Sequence, residues 1–203
     1  MSRGRLLVLA TRNRGKAAEF SRALGDTGMA LTTLASFAPF PAPRETGKSF
    51  RENAAIKARV TAAHTGRPAL ADDSGLCVAA LEGAPGILSS RFAGPAADDE
   101  ANMDLLLEKL AGHRDRSAWF SCALCLAEPG GELLWQGEGR CHGVILPARA
   151  GSGGFGYDPL FLYPPERKSF GQMTGEEKFR VSHRGEAVRA FRRALADGIA
   201  GLE

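Results

Sequence analysis

Two adjacent carboxylates, Asp72 and Asp73, interrupt an apolar stretch that reads PALADDSGLCVAAL. The apolar writing on both sides marks a buried strand, and charge inside such a strand has to lie where the strand ends. Two readings follow. In the first, Asp, Ser and Gly make a turn, because short polar side chains bond the local backbone and Gly tolerates positive φ. In the second, the acids close a buried strand at a site, because desolvated carboxylates are costly unless a cation or a substrate compensates them. Local composition leaves both open.

The surrounding pattern alternates. Leu6–Ala10 is a short apolar run of strand type, and GKAAEFSRALG then places Ala17, Phe20 and Leu24 on one helical face with Gly25 as a stop. MALTTL reads as a second strand and ASFAPFPAPRETG as a proline-rich loop. Lys48 to about Thr65 has no Gly or Pro and reads as a helix; Ala69–Ala71 is a strand, then come the Asp-Asp turn and a separate short strand, CVAAL, with EGAPG as a loop. DDEANMDLLLEKLAG is helical, with Met103, Leu106, Leu107 and Leu110 together. SAWFSCALCLAE and GELLWQGEGRCHGVIL are strands joined at PGG, a hairpin signal. PARAGSGGFGYDPLFLYPPE reads as irregular, and the chain closes on a helix capped by Ser182 with Val188, Phe191 and Leu195 on its apolar face. Alternating strands and helices around one hairpin predict an α/β fold on a mixed sheet.

At 203 residues the chain suits one large domain or two joined lobes. Its net charge of +3 fits an anionic substrate, and no run of five basic residues argues for a nucleic-acid partner. The first apolar run is too short for a signal segment, and nothing approaches a membrane span, so a cytoplasmic location is expected. Cys122 and Cys125 spell C-x-x-C. On a strand they face opposite ways, and no second pair completes a tetrahedral zinc set, so buried thiols are the expectation.

Four stretches carry candidate chemistry. ATRNRGK lies between the first strand and first helix, where backbone N–H groups and the helix end suit phosphate. It is not a Walker A loop, because no Gly precedes Gly15-Lys16 at the required spacing and Ala17 replaces Ser or Thr. GSGGFG spells G-x-G-x-x-G but opens no helix, since YDPLFLYPP follows; glycines there let backbone approach a ligand, with Phe155 or Tyr157 as a stacking ring. In RETGKSFRENAAIKAR, one helical stripe joins Phe50, Asn53, Ala54, Lys57, Ala58 and Thr61, and a rival stripe joins Ile56, Val60 and Ala63; periodicity does not choose between them. VSHRGEA puts His183 and Arg184 at a helix start, where the dipole does not favour cations and an electron-rich ligand would compensate. Together they describe a phosphorylated ligand, a cation on carboxylates and an aromatic platform.

With those motifs in this order, nearly the whole chain resembles the noncanonical purine nucleoside triphosphate pyrophosphatases, the inosine/xanthosine triphosphatase family. The resemblance rests on ATRNRGK, ETGKSFRENAAIKAR, ALADDSGL, GAPGILSSRFAG, GSGGFGYDP and SHRGEA. It implies hydrolysis of ITP, dITP and XTP to the monophosphate and pyrophosphate, dependence on Mg2+, and a homodimer without membrane or stable nucleic-acid partners. It also implies one α/β domain over residues 1–203: an elongated mixed sheet flanked by helices, in two lobes with the active site in the cleft. Carried over by residue, Thr11, Arg12, Asn13, Arg14, Gly15 and Lys16 would hold the triphosphate. Asp73 would bind Mg2+ and act as general base, with Glu45 and Asp72 as further metal carboxylates and Lys57 as a catalytic cation. Ser74 would touch substrate, Phe155 would stack on the purine beside Gly156, Tyr157 and Asp158, and Lys178, His183 and Arg184 would reach base or phosphates. Where some members have an acidic pair before the Thr-Gly, this chain has Arg44-Glu45. Enzymes acting on modified pyrimidine or ordinary nucleotides, and a silent nucleotide- or RNA-binding module, are the rival readings.

Overall fold

The computed structural model describes residues 6–96 and 98–202, with the Arg14 side chain outside the described part. Among the described residues seven strands form one open mixed sheet in the order β2-β1-β3-β4-β5-β6-β7, accompanied by five α-helices. These strands are β1 (Leu6–Leu9), β2 (Ala30–Thr33), β3 (Ala69–Val78), β4 (Ser117–Ala127), β5 (Leu133–Ile145), β6 (Phe161–Tyr163) and β7 (Lys168–Ser169). The helices are α1 (Arg14–Leu24), α2 (Phe50–Thr65), α3 (Asp99–Lys109), α4 (Gly175–Val181) and α5 (His183–Asp197). β1 pairs in parallel with β2 and β3, and β6 pairs antiparallel with β5 and β7.

The chain divides into two compact units. The first comprises residues 1–73, 122–139 and 186–203; the second comprises 74–121 and 140–185. Small side chains fill the first core: Ala54, Ala58 and Ala62 of α2 pack with Val8, Ala69, Ala71, Ala123 and Ala127. The second core is aromatic and aliphatic, with Phe120, Phe161 and Phe170 packed among Leu76, Met103, Leu106, Leu110 and Leu160. Phe120 lies 4.7 Å from Phe161 in a tilted pair.

Local signals explain most boundaries. Asn13 caps α1 by accepting from the Lys16 N–H at 3.0 Å. Ser49 caps α2, and Gly66 ends it in the left-handed region at φ 63°. Ser182 caps α5 by accepting from the Gly185 N–H. The burial of α2 decides between its two stripes: Asn53, Ala54, Ala58 and Thr61 are buried, whereas Val60 is exposed.

Three expectations are corrected. The Asp-Asp-Ser-Gly stretch is not a turn; β3 runs unbroken through it to Val78, and Ala79–Leu81 is a 3-10 turn rather than strand. Sheet pairing overrides the turn composition here. The expected irregular segment, residues 147–166, contains β6, and β7 follows it; each is too short to show a period. Finally, α4 precedes the C-terminal helix, opened by a reciprocal Thr174–Glu177 capping box.

Candidate active site

β1 registers with β3 only at Val8–Ala69 and Leu9–Leu70, so Asp72 and Asp73 lie just beyond the carboxyl end of β1. Ligands of open α/β sheets sit at such strand ends. The next residues build the turn into α1. Thr11 Oγ1 accepts from the Asn13 N–H at 3.2 Å, and Gly15 and Lys16 fall in the first helical turn. Lys16 Nζ stands 2.6 Å from Asp72 Oδ2. Arg12 instead donates to the Phe40 carbonyl and lies over that ring at 5.6 Å. Phe40 in turn stacks on His64.

On α2 the inward stripe carries Lys57, whose Nζ is 2.7 Å from Asp73 Oδ1 and 3.3 Å from Glu45 Oε1. Burial opposes the Lys57 charge, yet Asp72, Asp73 and Glu45 outweigh it and hold the ammonium above its ordinary value. Asp73 shifts up instead: burial raises its carboxyl above the usual carboxylate range, with Glu45 adding repulsion, against the attraction of Lys57 and Lys16. The cluster also carries an excess of carboxylate. Three carboxylates, Glu45, Asp72 and Asp73, face two ammoniums, Lys16 and Lys57, which leaves one negative charge in excess. Such an oxygen-rich, electronegative cluster fits a hard divalent cation. Among the described residues no three His, Cys, Asp or Glu groups form a cage by themselves.

The second unit gathers a different set. Ser74, next in sequence to Asp73, accepts from an Arg184 guanidinium nitrogen at 3.0 Å. Arg184 and His183 open α5 and are nearly fully buried. The His183 ring stacks on Phe120 at 4.7 Å. Phe155 carries the Lys178 ammonium over its ring at 4.4 Å and the Arg184 guanidinium at 5.6 Å, a cation–π arrangement that makes the ring a fixed platform. Lys178 also donates to Asp158, and both side chains are buried. Asp158 further accepts from the Phe155 N–H at 2.9 Å, and Asp99 accepts from the Gly156 N–H at 2.7 Å. Tyr157 is placed apart from this platform. It belongs to the core of the second unit, where its hydroxyl donates to the Ser89 carbonyl and burial raises its pKa.

Two contributors escaped sequence reading as site residues, namely Asp99 as a tether of the glycine loop and Asn53 beside Asp73. Only the inward position of Asn53 hinted at either. The loop also explains one glycine. Gly154 has φ 78°, and a Cβ there would stand 2.0 Å from Asp158 Oδ2. Gly154→Ala should cost about 1–3 kcal/mol, as residues forced into sparse backbone regions do. Urea denaturation checks this, and an unchanged midpoint would refute the packing described.

An open mixed sheet accompanied by helices defines an α/β protein. Residues 7–194 match the model of the Ham1 family, and the chain belongs to that family. A Desulfotalea psychrophila protein named dITP/XTP pyrophosphatase is 49% identical over 198 residues, 98% of this chain and 88% of that protein. A Thermus thermophilus protein of the same name is 50% identical over 200 residues, 98% of this chain and 95% of the other. Among solved structures, the HAM1 protein from Coxiella burnetii superposes with a TM-score of 0.88 at 40% identity, covering 95% of this chain and 99% of that one. Among the described residues no helix is long and apolar enough to cross a membrane.

Proposed function

We propose that this chain hydrolyses the deaminated purine nucleoside triphosphates ITP, dITP and XTP to the monophosphate and pyrophosphate with Mg2+, keeping them out of DNA and RNA. It acts in the cytoplasm as a homodimer, the whole chain serving as one enzyme. The observation that carries the reading is the Asp73–Lys57–Glu45 cluster, set in a chain about half identical to proteins named for this reaction.

In this reading Asp73 accepts the proton of the attacking water, a role for which a raised carboxyl is suited. Lys16 and Lys57 stabilise charge on the departing pyrophosphate. Thr11, Asn13 and the first turn of α1 hold phosphate through backbone N–H groups. Arg12 would have to leave Phe40 to join them. Glu45, Asp72 and Asp73 are the carboxylates that would hold Mg2+. The ion, when bound, supplies Lewis-acid polarisation of phosphate oxygen. Phe155 stacks on the base, with Ser74, Lys178, His183 and Arg184 at its polar edge.

Turnover of a panel of triphosphates in 18O-labelled water tests the reaction. Label is expected in the monophosphate–pyrophosphate pair, with dITP and XTP favoured over dGTP and dATP. Label in free orthophosphate alone would identify a phosphatase instead. A preference for pyrimidine or ordinary nucleotides would support those rivals, and salt-sensitive binding of single-stranded RNA without turnover would support a binding module.

Base reading gives a second expected result. Hypoxanthine and xanthine present an acceptor oxygen at position 6, where adenine presents an amino donor, and arginine has donors only. Arg184→Ala should lower kcat/KM for ITP by about tenfold or more and narrow the ITP-to-ATP ratio, since a site built on such a bond rejects the wrong partner strongly. Guanine keeps the same oxygen, so the ITP-to-GTP ratio should move less. Equal losses on ITP and ATP would reassign Arg184 to phosphate or fold.

A further inference from the structure

We infer that Asn53 is a positioning residue for this reaction: one buried amide sets the orientation of Asp73 and ties it to the segment that carries Glu45. The inference rests on the reading of Asp73 as general base. Asn53 is the fourth residue of α2, at the end of its first turn, and is fully buried. A buried amide needs partners for both its donors and its acceptor. Its side chain here bonds outside its own helix. Nδ2 donates to Asp73 Oδ2 at 3.3 Å, and Oδ1 accepts from the Gly47 N–H at 2.8 Å. The assignment of the two amide atoms is dictated by the partners, because a carboxylate requires a donor and an N–H requires an acceptor.

Geometry around Gly47 tightens the link. A Cβ on Gly47 would lie 2.6 Å from the Glu52 Cβ, 2.7 Å from Asn53 Oδ1 and 2.9 Å from the Asn53 backbone nitrogen. The loop therefore lies directly against α2, and only glycine fits. Lys48 N–H donates to Glu52 Oε2 at 2.7 Å, so two successive backbone amides of the loop are held by side chains of one helical turn. Glu45 stands two residues before this junction and shares Lys57 with Asp73. Lys57 is one turn along α2 from Asn53. The helix thus presents a charge and an amide to the same carboxylate: Lys57 takes Oδ1, Asn53 takes Oδ2, and the plane of the Asp73 carboxylate is set by two donors of unlike kind. Lysine alone, on four flexible methylenes, would leave that plane free to rotate.

Three variants test this: Asn53→Asp, which keeps the Gly47 acceptor but sets a carboxylate against Asp73; Asn53→Leu, which fills the space without either bond; and Gly47→Ala, which displaces the loop without touching Asp73. With dITP at a temperature where all remain folded by circular dichroism, kcat should fall about a hundredfold for both Asn53 variants, the cost expected of a misplacement near 1 Å. For Gly47→Ala it should fall about tenfold, and KM for dITP at saturating Mg2+ should change less than about threefold throughout, because the residues proposed to hold the phosphates and the base are untouched. Crystal structures of Asn53→Leu and wild type supply a readout independent of turnover, with the Asp73 carboxylate rotated and Glu45–Gly47 moved away from α2. Unchanged kcat with only a lowered urea midpoint would overturn the inference, as would an Asp73 carboxylate superposing on wild type in Asn53→Leu. If wild type fails to turn over dITP, the functional reading falls, and the crystallographic comparison still decides whether Asn53 sets Asp73.

Discussion

Asp73→Asn should lower turnover by about 10²–10⁴, the loss typical of removing one general base, while nucleotide affinity stays within about tenfold. The substitution preserves volume and the ability to accept from Lys57, and it removes the charge, the group that takes a proton and the oxygen that accepts from Asn53. The direction of the Asp73 shift adds a pH signature. Burial holds this carboxyl above the usual range in the metal-free protein, and a bound Mg2+ would draw it down, so the acid limb of kcat/KM should move to lower pH as the Mg2+ concentration rises. Activity is lost as pH decreases through that limb, because a protonated Asp73 accepts nothing. The stability sign runs the other way. A folded-state pKa above the unfolded one means the native state holds this proton more tightly, so the stability it confers is present at low pH and lost as pH rises through the folded value. At neutral pH the ionised group is therefore a cost, and Glu45 and Asp72 remain to hold the Lys57 charge. The unfolding midpoint of Asp73→Asn should consequently not drop at neutral pH. Retention of more than about a tenth of wild-type turnover at saturating Mg2+ would remove Asp73 from the role of base.

Asp158→Ala should destabilise the fold by about 3–5 kcal/mol, because it takes one partner from a buried ion pair and leaves the other charge in a desolvated place. Lys178 and Asp158 expose only 5% and 3% of their side chains. The same carboxylate also accepts from the Phe155 N–H and is wrapped by Gly154, so its loss releases the loop that carries the aromatic platform. Replacing both partners, Asp158→Leu with Lys178→Met, should recover most of the lost stability, since buried pairs are often matched or exceeded by apolar residues of similar volume. Activity should not return with it, because the cation over Phe155 is gone. Urea denaturation of the single and double variants measures both effects. A single variant within about 1 kcal/mol of wild type would show that the pair is not desolvated as described.

Much of this architecture is local and was readable in one dimension. The apolar run Leu6–Ala10, the C-terminal helix capped by Ser182, and the hairpin signal at Pro129-Gly130-Gly131 each depend on neighbours a few residues apart. That is enough for the α/β class and for the motif order that marks the family. ATRNRGK, the paired acids and SHRGEA were likewise visible as chemistry, because charge in apolar surroundings asks for a partner wherever the chain puts it.

What stayed undecided in the sequence depended on partners far along the chain. Asp72–Gly75 is spelled as a turn and folds as strand, since pairing in the sheet is settled by residues tens of positions away. Two stripes of α2 had equal claim to burial until the small residues of β1, β3 and β4 met Ala54 and Ala58, which turned Lys57 towards Asp73. Tyr157 packs in the core of the second unit, where Ser89 offers a carbonyl to its hydroxyl from another part of the chain. Asn53 carried almost no signal, for its meaning lies in a carboxylate 20 residues away and an N–H six residues back, joined by one amide. Periodicity records which face of an element is apolar; only the packed tertiary structure determines which polar atoms on that face find each other, because hydrogen bonds and ion pairs act over about 3 Å of space rather than along the chain.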